Sequence, residues 1–142
     1  MTEQLVYQAA HHQLLASAKV VALAHDIDPE NKMGCMLAAG NVYPYSCDPK
    51  DVWTAFCQEH ESYTFLDVQI KGRYPYYLKN QLEEKGIHIQ TKPEDDEILA
   101  NGIVDYLALS YYSTRVAGAE GKHPQGEGNA VETATLAQGC EG

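Results

Sequence analysis

The stretch Val104–Thr114, VDYLALSYYST, most constrains what this chain can fold into. Its first part, Val104-Asp105-Tyr106-Leu107-Ala108-Leu109, reads as a buried strand. Its second part, Ser110-Tyr111-Tyr112-Ser113-Thr114, is a polar aromatic tip. Adjacent hydroxyls at the end of a buried strand are how an α/β protein presents chemistry. The scaffold is rigid, and its C-terminal edge faces the ligand crevice. The rest of the chain decides whether a reacting group is present for that tip to support.

The elements before it follow from periodicity. Apolar residues recur at spacings of three and four from Thr2 to about Ile27, which predicts one long helix. Leu14–Ala24 is apolar almost all round, so burial on two sides is expected. Asp28-Pro29-Glu30-Asn31 stops this helix. Met33–Ala38 is a short continuous apolar run, suited to a parallel strand covered on both faces. Residues 39–46 are expected to leave it as a loop. Asp48-Pro49-Lys50-Asp51 has the chemistry of a helix start, and that helix is expected to fade near His60. Phe65–Ile70 is ambiguous between helix and strand, and Gly72-Arg73-Tyr74-Pro75 breaks it. Pro75–Lys85 is predicted helical, with Gly86 as a left-handed terminator. Thr91-Lys92-Pro93-Glu94 matches a capping box before a short helix over Pro93–Asn101. Residues 117–142 hold six of the eleven glycines and few large apolar residues, and are expected to form a disordered tail.

This order of strands and helices implies a parallel α/β sheet. Only two strands are convincing. Two buried parallel strands leave unpaired edges on both sides, so the chain is expected to be a piece of a larger α/β fold, able to self-associate through those edges.

Composition excludes several functions. The formal net charge of -10 argues against nucleic acid as a partner and against a basic membrane-surface helix. The longest apolar run is too short to span a bilayer. Cys35, Cys47, Cys57 and Cys140 form no C-x-x-C pair, so neither a zinc ribbon nor a redox dithiol is indicated. No secretory leader is evident, which points to reduced thiols and a cytoplasmic location.

Few residues offer chemistry. His11 and His12 point about 100° apart on a helix, so packing or a buried hydrogen bond is favoured over a shared metal. A metal role through His11, His12 or His25 is the least favoured reading. Cys57 and His60 are too few for a closed metal site. Glu94-Asp95-Asp96-Glu97 suits a solvated helix start better than general acid/base work. Asn41, Tyr43 and Tyr45 follow the first strand and Ser110, Tyr111 and Tyr112 follow the second, where ligand contacts belong. There is no nucleophile elbow and no phosphate-cradling glycine loop. No cofactor is called for.

Four stretches resemble one family. Tyr7–Ser17-Ala18 (YQAAHHQLLASA) resembles the long helix of glycoside hydrolase family 1. Gly34-Cys35-Met36-Leu37-Ala38 with Tyr43-Pro44 resembles its fifth barrel strand and the following loop. Phe65-Leu66-Asp67-Val68-Gln69 with Gly72-Arg73-Tyr74-Pro75 resembles a further segment, and Asp105–Tyr112 resembles the sixth strand. GCML, DVQ-x-x-G-x-YP and SYY are similar to the bacterial 6-phospho-β-glucosidase branch. Together these stretches cover Tyr7 to about Arg115.

The resemblance implies part of a (β/α)8 barrel, about strands five and six with their surrounding helices. It implies retaining hydrolysis of β-glucosides phosphorylated at O6. In retaining enzymes two carboxyl groups stand about 5–5.5 Å apart and a glycosyl-enzyme forms. The family's acid/base motif N-E-[IP] and nucleophile motif E-N-G are not in this sequence. The resemblance therefore implies no catalytic residue here, and an isolated chain without activity. Tyr112 matches the tyrosine that hydrogen-bonds the nucleophile carboxylate. Where many relatives carry an asparagine on the aglycone side, this chain has Ala38, and Asn41 is the candidate substitute. The alternative reading is a non-catalytic α/β binding or interaction module derived from the barrel.

Overall fold

The computed structural model describes residues 2–119 and 126–128. The chain divides into two compact units. One joins Met1–Met36 to Thr64–Ala108; the other joins Leu37–Tyr63 to the described residues from Leu109 onward.

The first unit is built on helix α1, Glu3–Ile27. His11, Leu14, Leu15, Ala18 and Val21 form its buried stripe. The expected burial on two sides is not found: Val20 is 54% and Leu23 59% exposed, because the described elements cover one face only. Leu14, Leu15 and Ala18 pack with Val68 and Leu99 into one apolar cluster. Leu99 belongs to a short helix, α4, Asp95–Asn101. Gly102, just past α4, comes so close to α1 that a Cβ there would meet Ala18 Cα at 2.3 Å.

The expected capping box is displaced by one residue. Glu94 makes no capping bond. The Asp95 carboxylate instead accepts the Lys92 backbone N–H at 2.7 Å, which is the carboxylate half of such a box. Helix α3 spans Tyr76–Glu84. Gly86 terminates it with φ +65°, as predicted. Ile87 N–H donates to Leu82 C=O and Gly86 N–H to Glu83 C=O, the two bonds of a Schellman motif. Leu78, Leu82 and Ile87 form a second cluster beside it.

The segment after Gly86 is extended, and α1 satisfies its backbone. Gln4 donates to His88 C=O (2.6 Å) and accepts from His88 N–H (2.9 Å). Gln8 repeats this with Gln90 (3.1 and 2.7 Å). Four helical residues rise about 6.0 Å and two strand residues about 6.6 Å, so successive glutamines match alternate residues of the segment.

Strand β1, Gly34–Ala39, and a later strand, β3, Tyr106–Tyr111, form a two-stranded sheet. They are not buried as expected. Met36 is 73% and Leu109 53% exposed, because no described element covers those faces.

The second unit corrects the expected loop over 39–46. Val42–Pro44 is a strand, β2, parallel to β4, Thr114–Ala117, with Val42 opposite Arg115. β2 has three residues and ends in proline, so it gives little sequence signal; its partner strand defines it. β5, Gly126–Gly128, pairs antiparallel with β4. Five strands are thus described where two were convincing. Most of the predicted tail lies outside the described residues; of those described, Ala117 ends β4 and Gly126–Gly128 forms β5.

Helix α2, Pro49–Lys71, does not fade near His60 but continues through the ambiguous segment. It starts as predicted, with Asp48 accepting the Lys50 N–H at 2.9 Å. It stops at Gly72, where φ is +62° and a Cβ would meet Leu99 C=O at 2.8 Å. Thr64 and Val68 are buried one turn apart and Leu66 on the opposite face, so burial on two faces sustains the helix through a segment whose pattern alternates like a strand. No described helix is long and apolar enough to cross a membrane.

Candidate functional site

The predicted site residues both lie in the second unit, at the ends of β1 and β3. Asn41 stands between β1 and β2. Its backbone C=O accepts the Arg115 N–H at 2.9 Å, which ties it to β4. Its side chain is exposed and held at long range: Nδ2 to Tyr43 OH at 3.5 Å, and Oδ1 from Tyr63 OH at 3.5 Å. Tyr112 joins β3 to β4 and is 83% exposed. Beside it, the Tyr111 hydroxyl is hydrogen-bonded to the Thr114 hydroxyl.

Gly40 connects these two ends. A Cβ on Gly40 would meet Ser113 C=O at 2.4 Å, so only glycine lets the two backbones approach. Asn41 follows Gly40 and Tyr112 precedes Ser113, so both flank the same contact. Tyr45 is placed by its N–H, which donates to Ala117 C=O at 2.9 Å. Tyr63 is a member of this cluster that sequence reasoning missed. It lies on α2, far along the chain, and no local pattern links it to Asn41.

The tip therefore holds an amide and several phenols. These groups donate and accept hydrogen bonds, but none is a carboxylate able to act as nucleophile or acid. A second missed residue holds the unit together. Asp51 is buried, accepts from Ser46 (2.6 Å) and takes the Ala119 N–H at 2.8 Å. Its place in the first turn of α2 signalled only a dipole role.

The other titratable candidates serve the first unit. His11 is buried, as the hydrogen-bonding reading required. Its Nδ1 lies 2.8 Å from the Tyr74 hydroxyl and its Nε2 3.1 Å from Asp95. Burial, then the charges of Asp95 and Asp96, push the Tyr74 phenol up to about 12. Tyr74 keeps its proton and is hydrogen-bonded to Nδ1, while Nε2–H donates to the Asp95 carboxylate. The Lys92 N–H, then His11, hold the Asp95 carboxyl below its usual range. The acidic run is thus not wholly solvated: Asp95 is buried in this network.

His25 donates to Asp105 at 2.8 Å. His60 Nδ1 donates to its own helix, at Phe56 C=O, at 2.9 Å. No group of three or more His, Cys, Asp or Glu among the described residues could hold a metal ion.

The sequence profile described as glycosyl hydrolase family 1 matches residues 2–138. This chain belongs to that family. It is 52% identical over 118 residues to the 6-phospho-beta-glucosidase AscB of Escherichia coli, covering 83% of this chain and 25% of that protein. It is 44% identical over 115 residues to the aryl-phospho-beta-D-glucosidase BglH of Bacillus subtilis, covering 81% of this chain and 24% of that one. The family 1 chain thus spans about a quarter of the length of these relatives.

Among solved structures, the virulence factor SghA in complex with the substrate analog salicin superposes with a TM-score of 0.67 at 24% identity. That match covers 87% of this chain and 28% of SghA. A β-glucosidase from Exiguobacterium antarcticum superposes with a TM-score of 0.64 at 21% identity, over 82% of this chain and 27% of the other. The family 1 chain therefore has the fold of part of a (β/α)8 barrel, as its sequence resemblance implied.

Proposed function

We propose that this chain is the central portion of a retaining 6-phospho-β-glucosidase, acting on β-glucosides phosphorylated at O6. The observation that carries this reading is the 52% identity over 118 residues to a relative named for that activity. In this reading the chain supplies support, not the reacting carboxylates. Tyr112 would donate its phenol proton to the nucleophile carboxylate, keeping it ionised and aimed at the anomeric carbon. Asn41, with Tyr43 and Tyr63 beside it, would line the aglycone side. The long side-chain distances around Asn41 leave its amide available to a ligand. No cofactor takes part. In this reading the reaction takes place in the cytoplasm, where sugars phosphorylated on uptake arrive.

The isolated chain is expected to release no chromophore from a chromogenic 6-phospho-β-glucoside; turnover above buffer overturns its role as a supporting portion. The positive test is a chimera in which this chain replaces the matched stretch of the Escherichia coli relative. The chimera should prefer the phosphorylated glucoside. Tyr112→Phe in it should lower kcat roughly a hundredfold while KM changes little, as for other lost hydrogen bonds to developing charge. A well-folded chimera with no activity removes the proposal.

The exposed edges of β1 and β3 also favour self-association of the isolated chain. Sedimentation at rising concentration should show growth in mass, and a monomer throughout would exclude it.

A further inference from the structure

We propose that Asp105 is the positioning residue that sets the register of β3 against β1, and so decides which side chain stands at the end of β3. Asp105 holds Met33 at two points. Its N–H donates to Met33 C=O at 2.7 Å, and its Oδ2 accepts the Met33 N–H at 2.8 Å. His25 donates to the same oxygen at 2.8 Å, and the Lys32 ammonium lies 3.5 Å from Oδ1. Both polar backbone groups of one residue are taken by one aspartate, and two basic side chains hold that aspartate in place. Such a grip is compatible with a single register.

The next residues repeat the choice. The Tyr106 ring lies where a Cβ on Gly34 would stand, 2.2 Å from it. Every other residue from Cys35 to Ala39 carries a Cβ. Met33 with Asp105 and then Gly34 with Tyr106 meet in the same order along both segments, so the strands run the same way.

This pair needs such a device. Burial usually fixes register, because a slip by one residue turns every side chain to the opposite face. Here Met36, Leu107 and Leu109 are all exposed, so burial discriminates little. A slip would move the end of β3 by about 3.3 Å per residue and replace Tyr112 at the tip by a neighbour. What Tyr112 does there rests on the proposed function; the register itself does not.

The test reads register directly in the full chain. Cys47, Cys57 and Cys140 are changed to serine, Cys35 is kept, and either Leu107→Cys or Leu109→Cys is added. After mild oxidation, disulfide yield is measured by peptide mass. With Asp105 present, Cys35 should join the Leu107→Cys thiol in preference to the Leu109→Cys thiol. Asp105→Ala should shift that ratio about tenfold towards position 109, in line with loss of a charged hydrogen-bond acceptor. Asp105→Asn retains an oxygen for the Met33 N–H and should restore most of the native ratio. The proposal is overturned if the native pair does not predominate at the outset, or if Asp105→Ala leaves the ratio unchanged. It is equally overturned if both yields fall together, which is the mark of lost stability alone, or if Asp105→Asn behaves as Asp105→Ala.

Discussion

The two compact units are held by different means. The unit of Met1–Met36 and Thr64–Ala108 rests on two apolar clusters, one around Leu14, Leu15, Ala18, Val68 and Leu99, the other around Leu78, Leu82 and Ile87. Its polar chains are committed to partners within the unit: His11, buried, to Tyr74 and Asp95, and Gln4 and Gln8, nearer the surface, to the backbone of His88 and Gln90. The unit around β2 and β4 has a cluster of only three small residues, Val42, Ala55 and Ala117, and is fastened by Asp51. It is this second unit that carries Asn41 and Tyr112, with side chains turned to solvent. The larger apolar clusters lie in one unit, and the predicted site residues in the other.

Core truncations should break the comparison most visibly. Leu78 is 2% exposed. Leu78→Ala should cost about 3 kcal/mol, combining lost transfer energy with a residual cavity. Val42→Ala removes less from a smaller cluster and should cost about 2 kcal/mol. Trp53, the chain's single tryptophan, lies within Leu37–Tyr63, so its fluorescence reports the second unit, while far-UV circular dichroism reports helices throughout. In urea, Leu78→Ala should move the dichroism midpoint more than the fluorescence midpoint. Val42→Ala should do the reverse. Equal movement of both probes would mean that the units unfold as one and that the contrast in construction has no energetic meaning.

Acid should come next, and it should act on the first unit. Asp95 has its carboxyl pKa depressed in the folded chain, by the Lys92 N–H and then by His11. A depressed carboxyl stabilises the fold above the ordinary carboxylate pKa of about 4, and that contribution disappears as pH falls through the folded value. The dichroism midpoint should therefore fall below that pH. Asp95→Asn should lower stability near neutrality and flatten the acid limb. An acid limb of unchanged slope would show that other carboxylates, such as Asp105, govern it; Asp105 is depressed too, by the Met33 N–H and then His25.

How much of this was legible in the sequence depended on how local the signal was. Helix α1, the break at Gly72 and the end of α3 at Gly86 were readable, because periodicity and left-handed glycines act within a few residues. The span of α2 beyond His60 was not. Thr64, Leu66 and Val68 alternate like a strand, and only tertiary burial decides for helix. β2 was hidden because three residues ending in Pro44 acquire strand character from β4, far along the chain. The candidate site divides in the same way. The positions of Asn41 and Tyr112 at strand ends were readable from strand order. The company of Tyr63, the fastening role of Asp51 and the burial of Asp95 all depend on partners distant in sequence. Composition placed Asp95 in a solvated run, yet one buried imidazole, 84 positions away, draws it inward.

A smaller effect would sharpen the view that the first unit commits its polar chains to partners of its own. Gln8→Ala removes two hydrogen bonds to Gln90 and should cost about 1 kcal/mol, since the segment is exposed enough for water to replace part of the loss. Hydrogen exchange at the Gln90 amide should accelerate, with the His88 amide, held by Gln4, much less affected. Equal acceleration at both would make the pair of glutamines one cooperative fastening.

The smallest expected effect falls on the residue with the largest proposed role. Tyr112 is 83% exposed, so replacing its hydroxyl with hydrogen leaves no buried donor unsatisfied and creates no cavity. Tyr112→Phe in this chain should therefore change stability by less than about 0.5 kcal/mol, the range of surface substitutions that touch no special feature. A phenol that contributes nothing to folding, yet stands at a strand end beside a backbone contact only glycine permits, would support the proposed service to a carboxylate. If Tyr112→Phe instead costs as much as Val42→Ala, the hydroxyl is a structural member of the β3–β4 connection, and its proposed service to a carboxylate loses its main physical support.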